Sequence, residues 1–336
     1  MSNINKTFKL ENWYNGCDAA FSSSWDDMTI TSIYDITNEA NKRNIKTTIY
    51  INGENKEWNT DLFYGNDFKK SSKLIFNQTI KNRLKTIYNN GNEIGNHTYS
   101  HISLKNKKLD DDIILEIEKC NKLIKSITNQ NEFTFCYPHG HLPEHIEISD
   151  YINNKFISCR GADYAKNTDQ QFDYINLIDS MNLELLKTIH VGTYPYTKNS
   201  SELNFILDNT IQKKGWLIEY GHGWENDAWC PVDKDMLLEH YDYISNKNIW
   251  CDTILNISKY IKQRESINFK LNKISENEYD LTINNIINNS PITFSFESNC
   301  NLKIIQNNKL IKIEKYNNKN YFNLYNYNKC VIKILQ

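Results

Sequence analysis

A chain of 336 residues is long enough for one large domain and a small one with a substantial apolar core, so its stability need not rest on metal or disulfides. Its 39 Lys and Arg balance 41 Asp and Glu to a formal charge of −2, and without a basic cluster a nucleic-acid partner is not expected. The abundance of Asn, Lys and Ile (NNG, NNKN, IINNS) reads as low-GC codon bias before it reads as chemistry.

The first twenty residues hold no basic start followed by an apolar run, and no apolar stretch reaches the length of a membrane span, so neither a secretory signal nor a transmembrane helix is expected. The 8 cysteines (Cys17, Cys120, Cys136, Cys159, Cys230, Cys251, Cys300, Cys330) form no CxxC and several sit in apolar runs. They read as buried thiols of a reduced, cytosol-like chain.

In chain order, strand-like runs stand at 19–25, 46–51, 92–96, 133–138, 156–161, 216–222 and 249–253, with helical periodicity at 29–42, 76–90, 108–126, 202–214, 232–247 and 254–265. Strand followed by helix six or seven times, with no Gly-rich phosphate loop, predicts an α/β fold built as a closed barrel with its active residues at the C-terminal strand ends. After about residue 266 the pattern changes to short alternating segments (INFKLNKI, EYDLTINNI, PITFSFES, CVIKIL). The expected division is therefore a barrel over 1–266 and a small β-sandwich-like module over 267–336, which would cap the barrel or bind carbohydrate.

His97-Thr-Tyr-Ser-His101 follows the strand NEIGN, and on a helical turn two imidazoles four residues apart share one face and can converge on a cation. Surface histidine pairs at this spacing also arise by chance. Asp26 and Asp27 end the first strand, where one carboxylate can bind metal while the other takes a proton; a helix cap with a solvated neighbour is the simpler alternative. His222 ends the late strand WLIEYGH as either an acid or a structural hydrogen-bonding group, and FTFCYPHG ends a strand where backbone N–H groups can meet an oxyanion.

These pieces in this order, DD, HTxxH, a strand ending in P-x-G and a late strand ending in His, resemble the polysaccharide deacetylase family, also called the NodB-homology or carbohydrate esterase family 4 domain, over about residues 18–265. GNHTYSH reads like the family's second motif and WDD like its first. The resemblance implies a distorted seven-stranded barrel, one divalent cation (zinc, or cobalt, nickel or iron) on Asp27, His97 and His101, Asp26 as catalytic base and His222 as catalytic acid. It further implies an oxyanion held by cation and the His139 backbone N–H, with Tyr137 and Trp224 placed toward the substrate, an acetylated carbohydrate. N-acetyl, O-acetyl and small-amide substrates, or a binding protein without turnover, remain alternatives, and the pattern leaves the oligomeric state open.

The chain departs from the family pattern at several points. Met28 stands for the usual Gly, Cys136 for an Arg and His139 for an aromatic residue; Arg160 in SCRG becomes the candidate to orient Asp26, and Asp163 or Asp179 the candidate acid behind His222. His139, His141 and His145 form a rival metal cluster, although Pro143 suggests instead a loop opening the next helix. Trp224, Trp229 and Tyr220 beside His222 read either as a sugar-stacking surface or as packing.

Overall fold

A computed structural model describes residues 7–27, 30–53, 78–162, 174–192, 199–224, 228–276, 278–297, 301–316, 319–325 and 329–335. Among them the chain runs β1 (Lys9–Leu10), β2 (Ala19–Trp25), α1 (Ile30–Lys42), β3 (Thr47–Ile51), α2 (Gln78–Asn89), β4 (Glu93–Asn96), α3 (Asp111–Thr128), β5 (Phe135–Cys136), α4 (Ile146–Lys155), β6 (Cys159–Arg160), β7 (Ile189–His190), α5 (Ser200–Gln212), β8 (Trp216–Gly221), α6 (Lys234–Ser245), β9 (Ile249–Cys251) and α7 (Ile254–Ser266). The remaining elements are strands: β10 (Asn268–Ser275), β11 (Glu278–Asn284), β12 (Ile292–Phe296), β13 (Asn301–Gln306), β14 (Lys309–Ile311), β15 (Glu314–Tyr316), β16 (Lys319–Leu324) and β17 (Lys329–Leu335).

The chain divides into two compact units, one of residues 19–255 and one of 1–18 with 256–336. The first is a parallel sheet in the order β6-β5-β4-β3-β2-β8-β7, with β9 also paired to β2. Ala19–Phe21 of β2 pair with β9 and Ser23–Trp25 with β3, while β8 runs along its other side. No regular ladder joins β6 to β7; irregular residues 183–186 fill that place, where Cys159 N–H donates to Leu183 O and Leu186 N–H to Cys159 O, both at 2.8 Å. This is the distorted seven-stranded barrel that the family resemblance implies, where the strand–helix alternation alone predicts a closed one.

Strand alternation sorts the residues. Phe21, Trp25, Ile49, Ile94, Phe135 and Leu217 join helix residues such as Ile36, Ile117 and Leu237 in one apolar cluster. The alternate positions, Ser22, Ser24, Asp26, Thr48, Tyr50, Glu93 and Arg160, are polar and buried. The interior of this barrel is thus held by hydrogen bonds, and its apolar core lies on the faces turned toward the helices.

The expected strands at 133–138 and 156–161 shrink to two residues each, in part because Pro138, without an N–H, opens a 3-10 turn over Pro138–Gly140. β7 and β1 were too short to give a period. α3 starts and stops on local chemistry: Asp110 accepts the Ile113 N–H at 2.9 Å, and Asn129 closes the helix at φ 61°.

The second unit is a sandwich of two antiparallel sheets, β1-β12-β16-β15 and β10-β11-β17-β13-β14. Leu281, Ile283 and Ile304 from one and Phe294, Phe296 and Phe322 from the other share its core. This division moves the expected boundary of 266/267 for physical reasons. β1 pairs with β12, so the first eighteen residues belong to the sandwich; the Tyr260 hydroxyl and the Arg264 guanidinium both donate to Glu11 O, drawing in 256–266 as well. Gly16 is required here, because at φ +69° an added Cβ would fall 2.1 Å from the Tyr321 ring.

Phe294 is fully buried and packs against Phe8, Phe269 and Phe322. Phe294→Ala should cost about 3–5 kcal/mol, read as a lower urea midpoint at unchanged m-value; a shift under about 1 kcal/mol would show that this cluster does not hold the sandwich.

Candidate metal centre

Two strand ends of the barrel bring the three predicted ligands together. Asp27 follows β2 in the left-handed region at φ 63°, a conformation that Asp tolerates better than most residues. His97 and His101 follow β4. Their convergence is not helical as the spacing suggested: Thr98 (φ 59°) and His101 (φ 56°) are left-handed, so the chain folds back on itself. Asn96 Oδ1 accepts the Thr98 N–H at 2.8 Å, and Glu116 on α3 takes the Ser100 N–H and hydroxyl at 2.7 and 2.8 Å, fixing the turn.

Asp27 Oδ1 lies 3.1 Å from His101 Nε2 and 3.5 Å from His97 Nε2, all nearly buried. Three donors each about 2.1 Å from one cation stand about 3.0–3.5 Å apart, so the spacing fits. His97 Nδ1 lies 2.8 Å from the Cys136 carbonyl oxygen, an acceptor, so it holds the proton and leaves Nε2 with a lone pair toward the centre. Asn52 Nδ2 donates to Asp27 Oδ1 at 3.4 Å. The set of one carboxylate and two neutral imidazoles therefore suits a divalent cation of the zinc, cobalt, nickel or iron type.

Burial governs the electrostatics. It pushes Asp27 well above the ordinary carboxylate range, helped by the Asp26 charge. Burial lowers His97 far below the usual imidazole value, with His101 adding to it, and lowers His101 to about 3, with His139 adding to it. Both ligand rings are held neutral before a cation arrives, as binding requires.

Asp26, 4% exposed, is gripped from strands three and four places away in the sheet, β5 and β6. Arg160 Nη2 donates to its Oδ1, and the Cys136 thiol donates to its Oδ2 at 3.6 Å. Cys136 and Arg160 are register partners on β5 and β6, so the guanidinium reaches the carboxylate from one strand beyond the Cys. Burial raises Asp26, and Arg160 offsets that only in part. His222 completes the ring of strand ends, with Nε2 3.7 Å from Asp27 Oδ2; burial lowers it well below the usual value, followed by the neighbouring His190.

Other expectations land differently. His139 is exposed at φ 57° in the Pro138–Gly140 turn, its ring 4.3 Å from that of His101. The Tyr137 N–H donates to Arg160 O at 3.0 Å and its ring packs on Phe135 in the barrel wall. Trp224 belongs to the apolar core with the Lys234 ammonium 4.9 Å over its ring; the aromatic edge at the site is Trp229, 39% exposed and 4.9 Å from His222. Among the described residues the clusters able to hold a metal are Asp27-His97-His101 and Asp26-His97-Cys136, and the rival His139, His141 and His145 are not among them. Asp179 is exposed on a short turn, while Met28 and Asp163 lie outside the described residues.

Sequence reasoning missed His190. It is buried at the end of β7, beside Tyr220 in register, its Nδ1 accepting the Gly192 N–H at 3.0 Å and its ring 5.6 Å from His222 and 5.5 Å from Trp229. Its only signal was the pair Ile189-His190 before Val-Gly, too short to read as a strand.

The polysaccharide deacetylase family profile matches residues 16–154, which include Asp26, Asp27, His97 and His101 and stop short of Arg160 and His222. Solved structures similar to this chain include the peptidoglycan deacetylase PdaC from Bacillus subtilis, 14% identical with a TM-score of 0.46 over 74% of this chain and 94% of that one. Another is a family 4 acetyl xylan esterase from Clostridium thermocellum in complex with a cobalt ion, 14% identical with a TM-score of 0.45 over 71% of this chain and 89% of that one. A putative E3 ubiquitin-protein ligase of Plasmodium falciparum is 26% identical over 288 residues, 82% of this chain but only 2% of the length of that protein.

A lowered imidazole pKa has a definite sign. Below the ordinary value of 6.5 the unfolded chain takes up a proton that folded His101 accepts only at about 3, so stability falls as pH drops through that interval. Metal-free wild type should lose melting temperature more steeply between those pH values than metal-free His101→Ala; equal slopes would show that His101 is not held neutral.

Proposed function

Over residues 16–154 the chain belongs to the polysaccharide deacetylase family, and on that premise we propose that it is a hydrolase removing acetyl groups from N-acetylated amino sugars of an oligo- or polysaccharide, with one divalent cation, zinc foremost, on Asp27, His97 and His101. The observation that carries this reading is the pairing of two adjacent carboxylates with different tasks: Asp27 faces the two imidazoles, whereas Asp26 faces Arg160. When bound, the cation would lower the pKa of a water and polarise the acetyl carbonyl.

The chain's own residues supply the proton transfers. Asp26, raised by burial and lowered again in part by Arg160, is a better proton acceptor than an ordinary carboxylate and would take the proton of the water. The His139 ring lies 4.3 Å from that of His101, and the backbone N–H of the same residue would donate to the oxyanion. His222 starts neutral; as negative charge develops on the substrate its proton affinity rises, so it would take up the proton that Asp26 removes from the water and pass it to the departing amine. Trp229, exposed beside His222, offers a face to the sugar, and among the described residues no helix is long and apolar enough to cross a membrane.

The test is acetate release from acetylated chito-oligosaccharides, with acetylated xylan and monomeric N-acetylhexosamines as the other arms, each against chelated protein. Release from the first alone, abolished by chelation, is expected; binding of sugar without release from any arm would replace the enzyme by a carbohydrate-binding protein. Asp26→Asn should keep full metal content and lose on the order of a hundredfold or more in turnover, whereas Asp27→Ala should lose both. The reverse pattern would exchange the two roles.

His222→Ala separates the acid from a structural histidine. An amine leaves poorly unless protonated, so turnover of an acetamide should fall far more than turnover of an activated acetyl ester. Equal losses on both substrates would leave His222 without a proton-transfer role.

A further inference from the structure

The barrel interior around Asp26 contains a support that the reaction as described does not use. Arg160 is fully buried, and its Cζ lies 4.6 Å from the centre of the Tyr50 ring and 5.1 Å from that of Tyr220. Tyr50 belongs to β3 and Tyr220 to β8, the strands on either side of β2; Ile49 pairs with Trp25, which puts Tyr50 level with Asp26, and Tyr220 pairs with Ser24, two positions below it. Both tyrosines are buried yet stand outside the apolar cluster that packs the helices.

The Tyr50 ring is itself fixed. Its hydroxyl shares a 2.9 Å hydrogen bond with the Thr134 hydroxyl, which donates to Glu93 Oε1; Glu93 Oε2 accepts from Thr48 Oγ1 at 2.9 Å and from the Leu255 N–H at 2.8 Å. Space for the ring is made by Gly95, where an added Cβ would lie 2.6 Å from Tyr50 Cε1. A guanidinium stripped of water is stabilised over an aromatic face and loses little by being planar there. The Arg160 fork has one donor on Asp26 and one on Gly161 O at 3.1 Å, while its Nε meets no hydrogen-bonding partner among the described residues, so those two bonds alone do not fix the plane of the group.

We propose that Tyr50 and Tyr220 are positioning residues for the reaction, a two-ring clamp that orients Arg160, and through it the Asp26 carboxylate, with Gly95, Thr134 and Glu93 holding the Tyr50 face in place. The proposal rests on the reading of Asp26 as the reacting base. It extends the site downward into the barrel, from the strand ends to the layer beneath them.

A substitution cycle in metal-loaded protein tests it. Tyr50→Leu removes the ring face and should lower kcat about ten- to a hundredfold, with KM and metal content unchanged; Tyr50→Phe keeps the face and should restore turnover to within about threefold of wild type. In an Arg160→Gln background the same Tyr50→Leu change should cost less than about twofold, because its effect passes through the guanidinium. Equal losses in both backgrounds, or a Tyr50→Phe loss as large as that of Tyr50→Leu, would overturn the clamp. Should Tyr50→Leu fail to fold, Gly95→Ala displaces the ring and is compared across the two backgrounds by the same criterion. Nitrogen-15 NMR of Arg160 Nε gives a readout independent of turnover: a ring-current shift present in wild type and Tyr50→Phe, and reduced in Tyr50→Leu and Tyr220→Leu. Its absence from wild type would refute the clamp even in an active enzyme. If wild type releases no acetate, the functional reading fails instead, and the NMR signal alone decides whether the clamp exists.

Discussion

The buried pairing of Asp26 with Arg160 is the constraint around which the barrel is arranged. A carboxylate and a guanidinium taken out of water lose several kcal/mol of hydration each, and they tolerate this only where geometry and further hydrogen bonds compensate. Here the compensation comes from around the barrel: the Cys136 thiol on one carboxylate oxygen, the Gly161 carbonyl on the guanidinium, and two tyrosine faces beneath it. An interior filled by Leu and Val, the usual content of a closed α/β barrel, could not hold this pair. The polar lining of Ser22, Ser24, Thr48, Thr134 and Glu93 follows from the same requirement, and it displaces the apolar core onto the faces beneath the helices.

That arrangement also explains how two neighbouring carboxylates come to have separate environments. Strand alternation directs Asp26 inward toward Arg160, while the left-handed backbone at Asp27 swings the next side chain toward His97 and His101. The residues differ by one position in sequence and by their whole electrostatic surroundings. Asp27 has its charge opposed by burial and by Asp26, which a bound cation would offset; Asp26 has the Arg160 guanidinium already in place.

Much of this was legible in the sequence because it is written in strand ends. A strand of period two followed by an abrupt cluster of Asp or His announces a rim position, and WDD, GNHTYSH and EYGH each did so. The order of the barrel strands and most helices followed from alternation with turn residues between. What stayed hidden has physical reasons. β5, β6 and β7 are two residues each, too short for any period, so the reach of Arg160 to Asp26 depended on a lateral register that one sequence does not contain. The histidine pair mimicked a helical spacing, but Asn96 and Glu116 impose a left-handed turn instead. The first eighteen residues joined the sandwich through a two-residue strand, a long-range pairing with no local signal.

The other wall of the site shows how far the chemistry can move while the rim is kept. Beside His222 the structure places His190 and Trp229, and His190 Nδ1 is occupied by the Gly192 N–H, which leaves that ring's proton on Nε2. A neighbouring imidazole offers no negative charge to hold His222 protonated in advance, as a carboxylate would; after burial, His190 is the next cause that lowers the His222 pKa. In the proposed reaction the proton affinity of His222 would instead rise with the negative charge that appears on the attacked carbonyl, so that the ring takes up a proton before passing it to the leaving amine. Such a ring would carry a proton only while the reaction is under way, and would be neutral, and compatible with a cation at Asp27, for the rest of the cycle.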